Sequence, residues 1–121
     1  MRRRKNFSFE YDRKNDVLSL IDYNKQIHET LEFNEFLNVD IDKKGEVAGL
    51  EIFDVSQFIR VFNKEVTKEF LINLENVDIF QKDYRNNIFI AIVLYSQGKH
   101  VQQYLPPLKK TGYISPLINS Q

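Results

Sequence analysis

The chain has 121 residues, enough for one packed core and short for two. Hydrophobic residues make up 42% and charged residues 28%, the balance of a globular domain rather than a disordered chain. There is no Cys, which excludes disulfides, zinc–cysteine sites, iron–sulfur clusters and thiol catalysis, and 17 basic residues balance 17 acidic ones, so no global field draws the chain to nucleic acid or membrane.

The charge is unevenly placed. Arg2, Arg3, Arg4 and Lys5 form a basic arm; setting those four aside leaves 13 positive charges against 17 negative, a mildly acidic body. Residues 1–6 are expected to be a disordered arm. No apolar run follows them, since Phe7, Phe9 and Tyr11 alternate with Ser8, Glu10 and Asp12, so the start does not read as a secretion signal. The longest apolar run, Ile88 to Tyr95, is too short to cross a bilayer. The expectation is a cytoplasmic protein with no membrane partner.

The Phe7–Tyr11 alternation is the period of a half-buried strand. Asp12 to Asp16 is a polar turn, because Asp and Asn side chains bond their own backbone there. Val17 to Ile21 is the return strand. No single period fits Asp22 to Phe36, which reads as loop with one short extended piece. Leu37, Val39 and Ile41 alternate with Asn38, Asp40 and Asp42 and predict a strand. Val47 to Phe53 is the next, and Gly45 supplies the positive φ of the hairpin turn between them. Gly49 marks an expected bulge, since the apolar phase slips between Val47 and Leu50.

Asp54 or Ser56 is a candidate cap for a helix with Val55, Phe58, Ile59 and Phe62 on one stripe. Thr67 caps a second helical stretch with Phe70, Leu71 and Leu74 inward; two helices or one kinked helix both fit. Val77–Tyr84, Ile88–Tyr95 and His100–Leu105 predict three strands, joined at Arg85–Asn87 and Ser96–Lys99. Ile88–Tyr95 is apolar on both faces, which predicts cover on both sides, as a buried central strand or as part of a dimer face. Residues 7–108 then form a single domain, and 109–121 an extended tail after Pro106–Pro107.

Two hairpins carry a recognisable pattern. Tyr11, Asp12, Asp16, Val17 and Leu18, followed by Val39, Asp40, Asp42, Gly45, Val47, Gly49, Leu50, Glu51 and Ile52, resemble the signature of the family catalogued as domain of unknown function 2283. The match covers about the first half of the chain. The resemblance implies a small antiparallel sheet with a helix, and it implies no activity, cofactor or catalytic residue.

Sharper readings compete with turn chemistry. Asp40–Glu51 matches the spacing of a calcium loop, yet Lys44 stands where an oxygen ligand is needed and both flanks alternate like strands. Asp12, Asp16, Asp40 and Asp42 support a metal-dependent enzyme only if their turns meet at one sheet edge. His28 and His100 are isolated in polar segments. No serine stands in a Gly-rich elbow, and no phosphate loop occurs. Leu105–Leu108, with its two prolines, reads as a strand end ahead of a docking segment.

The sequence therefore predicts an α+β domain: an antiparallel sheet of about six or seven strands built from hairpins, with one or two short helices on one face. The leading function is a non-enzymatic binding or assembly module without cofactor or metal. A homodimer is expected, with Ile88, Ile90, Ile92 and Leu94 as the candidate face. The alternative is a nucleic-acid-associated protein using Arg2, Arg3, Arg4 and Lys5; the acidic body argues against it. A metal-dependent enzyme using the Asp-rich turns comes third.

Overall fold

Strand alternation builds most of the molecule, in two sheets rather than one. A computed structural model of the chain describes residues 2–4 and 7–109. Arg2–Arg4 form β1, at the edge of the second sheet described below. The first sheet contains β2 (Ser8–Asp12), β3 (Val17–Ile21), β4 (Glu29–Asn34), β5 (Leu37–Ile41) and β6 (Val47–Phe53) in the order β2-β3-β6-β5-β4, every pair antiparallel. The register puts Leu18 opposite Ile52, Leu20 opposite Leu50, and Val39 opposite Leu50, so the apolar residues share one face. The single extended piece expected between Asp22 and Phe36 is β4.

Between these strands and the second sheet the chain makes two short helices. Asp54 adopts a left-handed conformation and lends its side chain to no cap. α1 (Val55–Arg60) buries Val55 and Ile59. It ends before Phe62, so the fourth residue of the expected stripe is left exposed. Thr67 caps α2 (Lys68–Ile72) as expected, its hydroxyl accepting from Phe70 N at 3.1 Å, and Phe70 and Leu71 face the core. Among the described residues there are two helices, and Leu74 already belongs to the next strand.

The second sheet contains β1, β7 (Leu74–Tyr84), β8 (Asn87–Ser96), β9 (Lys99–Tyr104) and β10 (Leu108–Lys109). β8 is central. β7 pairs along one side of it, while β9 and β10 share the other, at Ala91–Ser96 and Asn87–Ile88. Gln97 and Gly98 both have positive φ, the two-residue turn whose twist matches a hairpin. The backbone of β1 pairs with β7, Arg3 opposite Phe80. Part of the expected disordered arm is thus a strand. Met1, Lys5 and Asn6 lie outside the described residues, as does the expected tail beyond Lys109.

The inward faces of the two sheets and both helices share one core, including Leu18, Leu50, Ile52, Ile59, Phe70, Ile79 and Val101. This corrects the candidate dimer face. Ile88, Ile90, Ile92 and Leu94 are no more than 1% exposed and pack inside that core. The first sheet supplies the cover that the sequence reading gave to a second copy. A buried amide also stitches the sheets. Gln81 on β7 accepts from Val47 N and donates to Gly45 O, both at 2.9 Å. Val47 N seeks a side chain because the ladder slips there: Asp40 opposes Gly49, Ile41 opposes Val47, and Ala48 is the extra residue. The bulge thus falls next to Gly49.

Candidate functional site

The first turn motif is a clip. Asp12 closes the β2–β3 turn by accepting from Asn15 N at 3.1 Å and Asn15 Nδ2 at 2.8 Å. Those two bonds, side chain first, hold its carboxyl below the ordinary carboxylate range. Asp16 takes a left-handed backbone, φ 57°, and turns inward. Its buried carboxylate accepts from the Tyr11 hydroxyl at 2.6 Å, from Ser56 Oγ at 2.7 Å and from Ser56 N at 3.2 Å. The Asp16 carbonyl accepts from Val55 N at 3.0 Å. The opening N–H groups of α1 are therefore satisfied by a turn residue forty positions earlier, a role sequence spacing gave to Asp54 or Ser56. Burial, and then the bond to Asp16, hold the Tyr11 phenol well above its ordinary 10.0.

The second motif is also a turn. Gly45 has φ 79° and donates to Asp42 O at 3.0 Å. Asp42 Oδ1 accepts from Lys44 N and Glu46 N, each at 2.9 Å, and Lys25 Nζ lies 3.4 Å from Oδ2. Burial works to raise the Asp42 carboxyl, but the Glu46 and Lys44 amides and the Lys25 charge outweigh it and hold it low. Asp40 accepts from the Thr30 hydroxyl at 2.5 Å. Gly49 leaves room there, since a Cβ would meet Asp40 Oδ2 at 3.0 Å and Leu20 O at 3.1 Å. The calcium-loop residues thus serve a hairpin: backbone amides occupy Asp42, and Glu51 lies exposed in the middle of β6.

The two turns do not converge. Val17 opposes Phe53 at one end of β6 and Ile41 opposes Val47 at the other, six residues apart. That is roughly 20 Å at about 3.4 Å per residue. Asp12 and Asp16 therefore lie at the opposite end of the sheet from Asp40 and Asp42. Among the described residues no three His, Cys, Asp or Glu come together as a metal-holding group. His28 lies in the loop before β4 and His100 on β9 of the second sheet; the His100 ring is 6.1 Å from that of Tyr95. Leu105 and Leu108 are buried on either side of Pro106 and Pro107, so this segment closes the core rather than offering itself for docking.

What remains is two outward sheet faces of opposite character. On the first sheet, Glu10, Asp12, Glu35, Glu51 and Asp54 line an open groove of about 650 Å³ together with Asn15, Val17, Ser19 and Phe53. On the second, Lys82, Tyr84, Phe89 and Tyr104 line an apolar groove of about 450 Å³. Tyr84 is 56% exposed and Tyr104 64%. Arg85 stacks over the Tyr84 ring at 5.4 Å. Sequence reading missed these residues. Their signal was the alternate placing of Lys82 and Tyr84 in β7 and Phe89 in β8, legible only once the inward parity of each strand is known. The basic arm borders this second face: the backbone of Arg2–Arg4 runs along β7, and Lys5 lies outside the described residues.

The molecule is thus a small two-sheet antiparallel domain with two short helices, clipped by a buried aspartate. The family model described as Protein of unknown function (DUF2283) matches residues 8–56, the first half of the chain. That span opens at β2 and closes on Ser56, the residue that Asp16 holds. No curated protein and no solved structure matches the chain. No helix among the described residues is long and apolar enough to cross a membrane.

Proposed function

We propose that the chain is a non-enzymatic binding module whose working surface is the outward face of β7, β8 and β9. One observation carries the reading. Tyr84 and Tyr104 expose more than half their surface beside Phe89, at one end of a sheet face whose other outward residues Asp78, Ala91 and Val93 are buried. Large rings left in water on a rigid sheet are characteristic of contact surfaces. The motif carboxylates support the same view from the other side. Asp16, Asp40 and Asp42 are occupied by hydroxyls and amides of their own turns and serve the fold.

A photocrosslinking residue placed at Tyr104, compared with one at Glu51 on the other sheet, tests this in cells. Adducts are expected from position 104 and not from position 51. Equal yields from both positions, or adducts from 51 alone, would remove the reading. Homodimerisation is the second reading. It has to use Phe89 and Tyr104, because the inward residues of β8 are already packed. An adduct of the chain with itself from position 104 is its signature.

A further inference from the structure

We infer that the outward face of β7–β9 binds single-stranded nucleic acid, with bases stacked on Tyr84, Phe89 and Tyr104; this rests on the working surface proposed above. The three rings lie on three adjacent strands. Tyr84 is opposite Asn87, Phe89 stands two residues further along β8, and Tyr104 is opposite Ala91, two residues beyond Phe89. Each step is a diagonal neighbour, about 7–8 Å. The rings therefore form an oblique line across the sheet, which suits an extended polymer. Stacking on side chains that stand up from a sheet requires unpaired bases, so a duplex cannot use this line.

Charge selects the same ligand. Lys82 lies opposite Phe89, and Arg85 is held against the Tyr84 ring. Among the outward positions of β7, β8 and β9 the one carboxylate is Asp78, which is buried and accepts from the Tyr95 hydroxyl at 2.9 Å. Asp83, exposed between Lys82 and Tyr84, has the opposite parity: it opposes the inward Ile88 and accepts from the Gln81 side chain at 2.8 Å. The acidic side chains gather on the other sheet, at Glu10, Asp12, Glu35, Glu51 and Asp54. A formal net charge of zero hides this separation. It directs a polyanion to one face and away from the other. A second copy related by a two-fold axis would instead bring Lys82 and Arg85 towards their own counterparts.

Fluorescence polarisation of labelled twelve-nucleotide oligo-dT and oligo-U against the full chain, with a duplex of the same length as control, reads the inference. Both single strands are expected to bind, and the duplex about tenfold or more weakly. The double variant Tyr84→Leu/Tyr104→Leu is expected to lose roughly tenfold or more in affinity at an unchanged melting temperature. Lys82→Gln should weaken both single strands alike and lower the salt slope by about one. Glu51→Gln should not weaken binding. No polarisation change, or an affinity indifferent to the two tyrosines, overturns the inference. A self-adduct or a protein adduct from position 104 without oligonucleotide binding overturns it too, while leaving the working surface in place. Failure of the crosslinking contrast itself would take both down.

Discussion

The two sheets solve the same inward problem and opposite outward ones. Both offer the core a layer of Leu, Ile and Val, and the packing between them is shared. Outward, the first sheet carries Glu10, Ser19, Glu51, Asn38 and Glu32 in one cross-strand row, a carboxylate on every other strand. The second carries Lys82 beside Phe89 and Tyr104 beside Ala91. An acidic row keeps a sheet surface hydrated and discourages contact; a row of rings invites it. The lesson is that inward residues define the fold, while the difference between the two halves, and with it any binding role, lies in residues the core never touches.

The shared core gives the largest test. Ile92 is fully buried at the centre of β8, paired with Ile79 on one side and Gln103 on the other. Ile92→Ala should cost about 2–5 kcal/mol, the range for truncating a buried aliphatic residue. It should also shift probes on both sheets together. Urea unfolding followed by Tyr fluorescence and by far-UV dichroism would check this. Two separated transitions would break the shared-core comparison.

The clip comes next. Asp16→Ala leaves the Tyr11 hydroxyl, Ser56 Oγ and Ser56 N without their acceptor, and it places a β-carbon residue with no compensating side-chain bond at φ 57°. A loss of about 2–3 kcal/mol is expected in urea titrations. Tyr11→Phe removes one donor and keeps the ring, so about 1 kcal/mol is expected. If the two variants cost the same, the clip is not centred on Asp16.

Turn glycine belongs to the same half. Gly45→Val forces a β-branched residue into φ 79° and should cost about 1 kcal/mol or more in thermal unfolding. Here the sequence was legible. Gly45 after Asp42-Lys43-Lys44, Thr67 before α2, and the slip at Gly49 are all local chemistry within a few residues. The Asp16–Ser56 bond was not legible, because a turn residue and a helix start forty positions apart share no pattern until the strands between them are placed. The split into two sheets escaped for a similar reason. Alternation tells which residues face inward and is silent on what they face. The pattern of β8 fits a buried central strand or a dimer face alike, because the core residues it joins, among them Leu18, Leu50 and Ile52, lie far away in sequence. The aromatic line escaped as well, because Tyr84, Phe89 and Tyr104 become neighbours only across strands.

Titration separates the Tyr11 phenol from the motif carboxyls of Asp12 and Asp42, of which Asp42 is the more enclosed. Asp42 has its carboxyl held low, so its contribution is present above the ordinary value of 3.8 and is lost as pH falls through the lower folded value. Tyr11 is held high, so its contribution is complete below 10.0 and is lost as pH rises from there. The melting temperature should therefore stay level between these limits and fall on both sides. Tyr11→Phe should flatten the alkaline fall, and Asp42→Asn the acid one. A variant that flattens the wrong limb would reassign the titrating group.

The smallest effect tests the acidic row itself. Glu10 and Glu51 flank Ser19, and Glu51 and Glu32 flank Asn38, so neighbouring carboxylates are two strands apart. That is roughly 10 Å at about 4.8 Å per strand, close to one Debye length of about 10 Å at 0.1 M salt. Repulsion there is weak, and directly opposed like charges, the costly arrangement, are avoided. Glu51→Gln should raise stability by a few tenths of a kcal/mol at low ionic strength, and the gain should fade by 1 M salt. Lys82→Gln on the other sheet has no such row around it and should show no salt-dependent gain. Paired melting curves at low and high salt decide the matter. Equal salt responses in the two variants would mean that the outward faces differ in their rings and not in their fields, leaving stacking alone to distinguish them.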